Sequence, residues 1–190
     1  MNQQMNDIDA LLADLITYGN QWPAESETVN RFRQLLELDD GPDPFSRERL
    51  EGHFTGSAWV VSADRQRAAL LHHRKLDRWL QPGGHADGER DLAAVALREA
   101  EEETGLRGLR VEPDVFDLDR HRIPARGVEP EHWHYDMRFI VNASGDETFV
   151  VNEESHGLAW RPIAGIAQDP AIDASVRRLA TKFLNGAGSV

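Results

Sequence analysis

Apolar residues recur at helical spacing near the start of the chain. Ile8, Leu11, Leu12, Leu15 and Ile16 form one stripe, which predicts an amphipathic helix over residues 7–18. Val29, Phe32, Leu35 and Leu36 repeat the pattern behind Ser26, a suitable N-cap. The run Asp39-Asp40-Gly41-Pro42-Asp43-Pro44 then stops any helix. Beyond it the pattern turns strand-like. Phe54 to Ser62 predicts a strand, Ala63 to Gln66 a hairpin turn, and Ala68 to His73 the return strand. A second helical pattern, Leu92, Ala93, Val95, Ala96, Leu97 and Ala100, lies between a glycine turn at Gly83-Gly84 and a glycine stop at Gly105. Leu109 to Leu118 and Trp133 to Val141 read as strands on either side of a polar loop, Ile123 to His132. Phe149 to Val151 and Gly157 to Arg161 read as short strands. Asp169-Pro170 opens a last helix with Ile172, Val176, Leu179, Ala180 and Phe183 inward, and Gly186 to Val190 should fray. This order predicts mixed α/β layers. Residues 1–44 form an N-terminal helical extension, read as packing or dimer surface, and residues 45–190 form the main domain.

The helix after Gly84 carries more charge than a packing helix needs. Glu99, Glu102 and Glu103 stand three and four positions apart, so they share a face and repel one another. A solvated acidic face is the plain alternative, but the apolar residues along the same helix argue that it is enclosed. Mg²⁺, Mn²⁺ or Ca²⁺ would relieve the repulsion, because hard cations prefer carboxylate oxygen. Glu101 lies off that face and is expected in solvent.

Composition narrows the field. The 190 residues, 40% of them apolar, suffice for one domain with a real core and a little extra. The sequence has no apolar run long enough to span a membrane, and Met1 to Asp7 lacks the basic-then-apolar order of a signal peptide. The chain therefore reads as a cytoplasmic protein. With no cysteine, disulfides, zinc–thiolate sites and thiol nucleophiles are excluded. A net charge of −12 argues against a surface for duplex nucleic acid. An anionic substrate would have to be drawn in by a metal or by a few placed Arg and His residues.

The stretch Gly83 to Leu106 resembles the Nudix box, whose pattern is Gly, five residues, Glu, seven residues, then Arg-Glu-apolar-x-Glu-Glu-x-Gly-apolar. Gly84, Arg98, Glu99, Ala100, Glu102, Glu103, Gly105 and Leu106 match at the correct spacing. Arg90 stands where the pattern has its first Glu, flanked by Glu89 and Asp91. Trp79-Leu80-Gln81-Pro82-Gly83-Gly84 also resembles the family's lead-in. The resemblance covers roughly residues 53–185 and implies the Nudix fold, a mixed β-sheet sandwiched between α-helices. It implies metal-dependent hydrolysis of a diphosphate linkage in a small nucleoside diphosphate derivative by water attack on phosphorus. Mg²⁺ or Mn²⁺ would be held by Glu99, Glu102, Glu103 and the Gly83 carbonyl, with Arg98 orienting the carboxylates. The base is left between a box glutamate and a later carboxylate, Glu153 or Glu154; taken singly, each of the latter reads as an exposed turn residue. His85 stands beside the metal and is either a turn residue or a phosphate contact, while His72 and His73 read as surface. A Nudix-fold binding or regulatory module without catalysis is the alternative function. An isopentenyl-diphosphate isomerase is excluded by the missing cysteine. The signatures of the family's sub-classes do not match, so the leaving group is not named.

One strand adds to the candidate site. Alternation places His132, His134, Asp136 and Arg138 on one face and Trp133, Tyr135, Met137 and Phe139 on the other. The first face is either an ordinary solvent side of an edge strand or the wall of a wet cleft. Two His and an Arg suit phosphate oxygen, so His134 and Arg138 are expected to contact the substrate, with Asp136 holding one of them.

Overall fold

The computed structural model describes residues 2–38, 41–74, 76–150 and 155–186. Helix α1 (Asn2–Gln21) leads through a 3-10 turn, Pro23–Glu25, into α2 (Ser26–Glu37). Four strands follow: β1 (His53–Val61), β2 (Arg67–His73), β3 (Arg78–Leu80) and β4 (Gly83–His85). Then come α3 (Leu92–Thr104), β5 (Arg110–Ile123), β6 (His132–Asn142), β7 (Ser155–Pro162), α4 (Ile163–Gln168) and α5 (Ala174–Gly186). Among the described residues the strands make one seven-stranded sheet ordered β3-β2-β1-β6-β5, with β4 paired to β1 and β7 to β2. β1 and β6 run parallel, with His53 beside His134 and Val61 beside Asn142. β1 meets β2 only near the hairpin, at Val61 and Ala68. Beyond that point β4 takes its place on β1, while β2 pairs with β3 and β7.

Alternation along β1 assigns the two faces. Phe54, Ala58 and Val60 face a core shared with Leu11, Leu15 and Tyr18 of α1, Val29, Phe32 and Leu35 of α2, and Val95, Ala96 and Ala100 of α3. Trp59 and Val61 face α5 and α4, through Val176, Leu179, Phe183, Ile163 and Ile166. Helices thus cover both faces of a mixed sheet, the α/β sandwich the sequence predicts. Burying side chains such as Val29, Phe32 and Leu35 contributes roughly 1.5–3 kcal/mol each, which docks α2 despite its polar outer side. No helix among the described residues is long and apolar enough to cross a membrane.

Several local expectations change. Ser26 is not the N-cap: the Pro-led 3-10 turn already feeds it, and its N–H donates to the Pro23 carbonyl. Ile16 belongs to the predicted stripe but is 51% exposed, and Tyr18, one turn beyond Leu15, is buried instead. Phe149 and Val150 are not strand. Phe149 stacks on Trp160 at 5.1 Å, and the Val150 amide donates to the Thr104 carbonyl, serving the end of α3. The last helix starts at Ala174, because Asp169 to Asp173 forms turns, and a six-residue helix, α4, precedes it. Residues 187–190, expected to fray, and Val151, expected in a strand, lie outside the described residues.

The polar face of β6 is only partly a wet wall. Asp136 and Arg138 are each 2% exposed, because α5 covers this end of the strand. Burial obliges their groups to find partners. Asp136 accepts from Thr55 and Ser57 hydroxyls at 2.9 and 2.8 Å and from Arg138 Nε at 2.7 Å. Arg138 also meets Asp117 and Asp119 on β5, at 3.3 and 3.1 Å. Arg178 of α5 joins the same two carboxylates at 2.7 and 2.8 Å. Lys182 bonds Asp117 at 3.0 Å and Glu25 at 2.8 Å, and donates to the Tyr18 hydroxyl, which donates to Glu25. One ion network therefore ties α1 and the 3-10 turn to β5, β6 and α5.

Candidate metal and diphosphate site

Helix α3 is bounded as its sequence dictates. Asp91 accepts from the Ala94 amide at 3.0 Å as N-cap, and Gly105 ends the helix at φ +70°. A Cβ at Gly105 would also stand 2.5 Å from Val150, so the stop and the packing of the following segment require the same glycine. Leu92, Val95, Ala96 and Ala100 are buried, which turns Glu99, Glu102 and Glu103 toward the loop that precedes the helix.

That loop is built against the carboxylates. Gly84 pairs with Gly56 in the middle of β4, and a Cβ there would lie 2.5 Å from Glu99 Oε2. Any other residue would displace the carboxylate. The Gly83 amide donates to Glu103 Oε2 at 3.0 Å. Arg98 donates to Glu99 Oε1 at 2.9 Å and to the His85 carbonyl at 3.2 Å, joining helix to loop. Burial pushes the Glu99 carboxyl up, with Glu102 and Asp87 adding repulsion against the pull of Arg98. An open cleft of about 600 Å³ runs along this edge, lined by Asp87, Gly88, Arg98, Glu99 and Glu102 among others. Glu102 is exposed and Glu99 half-buried. Glu101 is half-buried rather than in solvent. The donor set fits a hard divalent cation: Glu99 and Glu103 close on a glycine turn that leaves Glu99 no side-chain obstruction, Glu102 lines the adjoining cleft, and burial makes the Glu99 charge costly.

The departure at Arg90 has its own structural use. Arg90 bonds Asp43 at 2.7 Å and lies over the Phe45 ring at 4.8 Å, clamping the segment before β1 to the loop before α3. The helix start has its own acidic cap in Asp91, and Glu89 accepts from the amides of Arg90 and Asp91. Arg90→Glu would place a carboxylate against Asp43 and lose the ring contact. We expect a loss of about 1–2 kcal/mol in urea unfolding, with turnover per folded molecule changed only a few-fold.

The remaining expected site residues divide. His85 and His134 meet, their rings 5.0 Å apart, on the sheet face away from α3. Burial and the neighbouring Arg47 push His85 down to about 4, and burial pushes His134 down to about 2, so both rings are neutral. Asp136 holds Arg138 at 2.7 Å, and Asp117 and Asp119 engage the same buried guanidinium. Glu153 and Glu154 lie outside the described residues. The sequence reading missed His53, at the start of β1, and Asp87, held by Arg47 at 2.6 Å beside the cleft. It also missed Asp117 and Asp119, which partner Arg138. The pairing of β1 with β6 brings His53 into the group, and a parallel register leaves no local mark in sequence.

The family model described as NUDIX domain matches residues 53–183. A relative from Streptomyces rubellomurinus, CMP-5'-(N-acetyl-N-hydroxy-3-aminopropyl)phosphonate hydrolase, is 43% identical over 132 residues, covering 64% of this chain and 59% of that protein. The chain spans about half the length of the curated relatives it matches. Among solved structures, the E. coli dihydroneopterin triphosphate pyrophosphohydrolase superposes with a TM-score of 0.57 at 18% identity, over 70% of this chain and 95% of that one. A MutT protein from Methanosarcina mazei gives 0.56 at 15% identity, over 73% and 97%. At these identities the likeness is one of fold.

Proposed function

Because the chain belongs to the Nudix family, we propose that it hydrolyses a diphosphate linkage in a small nucleoside diphosphate derivative by attack of water on phosphorus. The observation that carries this reading is the closure of Gly83-Gly84 onto the carboxylates of Glu99 and Glu103. In this proposal Glu99, Glu102, Glu103 and the Gly83 carbonyl hold Mg²⁺ or Mn²⁺. Such an ion, when bound, neutralises phosphate charge and makes water a better nucleophile.

The chain's own groups do the positioning. Arg98 fixes Glu99 by a charge-assisted bond and keeps the loop carbonyl at His85 in place. The Gly83 amide fixes Glu103. The water's proton goes to a box carboxylate or to a later one, Glu153 or Glu154. His85, one residue past Gly84, holds the loop through its carbonyl, while its neutral ring turns to the opposite sheet face. Asp136 and Arg138 act at one remove, by holding Ser57 and Thr55 on the strand that carries β4. The Streptomyces relative is named for a CMP-linked phosphonate, which supports a nucleotide-linked substrate here.

The test is a panel of nucleoside diphosphate derivatives, read by phosphate release after added phosphatase. Metal-stripped protein should be inactive, and Mg²⁺ or Mn²⁺ should restore turnover. At a hundredfold excess over its Kd the ion should also raise unfolding free energy by about 2.7 kcal/mol, since it binds the folded state. Full turnover in excess EDTA would overturn the proposal.

A further inference from the structure

Histidine is concentrated in one place outside the carboxylate site. The rings of His53 and His132 lie 5.0 Å apart, as do those of His53 and His134 and those of His132 and His134. His85 and His121 flank them, at 5.0 and 5.4 Å from His134. The parallel register sets His53 beside His134, and the alternation of β6 puts His132 on the same face. Three ligand atoms, one each from His53, His132 and His134, fall within 4.8 Å of one another.

The hydrogen bonds fix which nitrogens are available. His53 Nδ1 lies 3.2 Å from the Arg49 carbonyl, and His132 Nδ1 lies 2.9 Å from the Pro130 carbonyl. A carbonyl only accepts, so each Nδ1 carries the proton and each Nε2 presents a lone pair. This is the arrangement by which backbone carbonyls orient metal-binding imidazoles. His53 is 2% exposed, and its Nε2 has no hydrogen-bond partner among the described residues. His132 Nε2 faces His134 Nε2 at 3.2 Å, a contact that at most one proton can bridge. Zn²⁺–nitrogen bonds of about 2.0–2.1 Å put tetrahedral ligands about 3.3 Å apart, close to the distance these two nitrogens already have. A packing cluster of histidines would have no reason to leave a buried lone pair unanswered beside such a pair.

We propose that His53, His132 and His134 form a second metal site, for a borderline divalent cation of the Zn²⁺ class, distinct from the carboxylate site of α3. Nitrogen donors select this class over Mg²⁺. Three protein ligands leave a coordination position open. Glu129, with Oε1 3.9 Å from His132 Nε2, stands on the rim. His85 links the two sites, since its ring touches His53 and His134 while its carbonyl receives Arg98. This inference stands on the imidazole geometry and holds whether or not the chain is a hydrolase.

The test adds Co²⁺, then Zn²⁺, to metal-stripped full-length protein in millimolar Mg²⁺, which occupies the carboxylate site. One Co²⁺ per chain should bind with the intense visible bands of a four-coordinate nitrogen site, and Zn²⁺ should displace it. The spectrum should persist in Glu103→Gln and be lost in His132→Asn and in His134→Gln. The second variant alters a more accessible ring, and circular dichroism confirms folding of each. Bands lost in Glu103→Gln but kept in folded His134→Gln would place the ion on the carboxylates and overturn the proposal. Absence of Co²⁺ and Zn²⁺ binding at tenfold excess would overturn it as well.

Discussion

Glu103→Gln should lower turnover by at least about 10²-fold while the protein keeps its fold. The amide oxygen of glutamine still accepts from the Gly83 amide, which Glu103 holds at 3.0 Å, so the loop loses no hydrogen bond. What disappears is a negative charge and an anionic oxygen donor. Removing outer-shell partners of a metal commonly costs 10–100-fold, and a direct ligand should cost more. The unfolding midpoint without metal should stay level or rise, because one member of a self-repelling carboxylate face is gone. Stopped-time phosphate release and urea unfolding of the same preparation check both halves. Turnover within threefold of the parent would remove Glu103 from the proposed site. A misfolded variant would instead show that the Gly83 bond needs a full charge.

Asp117→Asn should cost about 3–5 kcal/mol of stability, the range for breaking a buried ion network from one side. Asp117 is fully buried and receives Arg138, Arg178 and Lys182. Asparagine fits the space but brings a donor where three cations already point inward, and one negative charge is lost with no water to replace it. Urea unfolding should show a lower midpoint at an unchanged slope. An exposed pair serves as control: Arg31→Ala, which loses only the contact to Glu27, should shift stability by less than about 1 kcal/mol. A loss for Asp117→Asn as small as that would mean the network relaxes around the change.

The sequence discloses what is local. The hairpin between β1 and β2 follows from alternation and a polar turn, and α3 from its periodicity between two glycines. The box carboxylates are legible because helical spacing alone puts them on one face. The last helix is misplaced at its start because Ile172 continues the apolar count, although Asp173 is the residue whose carboxylate receives the Ser175 amide. Six residues with a glycine among them leave α4 too short to show a period. Phe149 and Val150 look like a strand by composition, but their backbone serves the end of α3. Alternation divides β6 correctly, yet it does not reveal that α5 roofs one end of the polar face. Asp136 and Arg138 thereby become structural, while His132 and His134, at the other end, join His53. Both outcomes depend on pairings across long stretches of chain.

The bond between Lys182 and Tyr18 joins residues 164 positions apart. Ribosomes add about 5–20 residues per second, so α1 waits roughly ten to thirty seconds for the ammonium that bonds its Tyr18 hydroxyl. Leu11, Leu15 and Phe32 gain the sheet face that covers them once β5 and β6 have been made, and only the Lys182 bond waits for α5. Nascent chains stalled before β5 should therefore be open to protease and to chaperones at α1 and α2, and resistance should rise once β6 is made and again when α5 supplies Lys182.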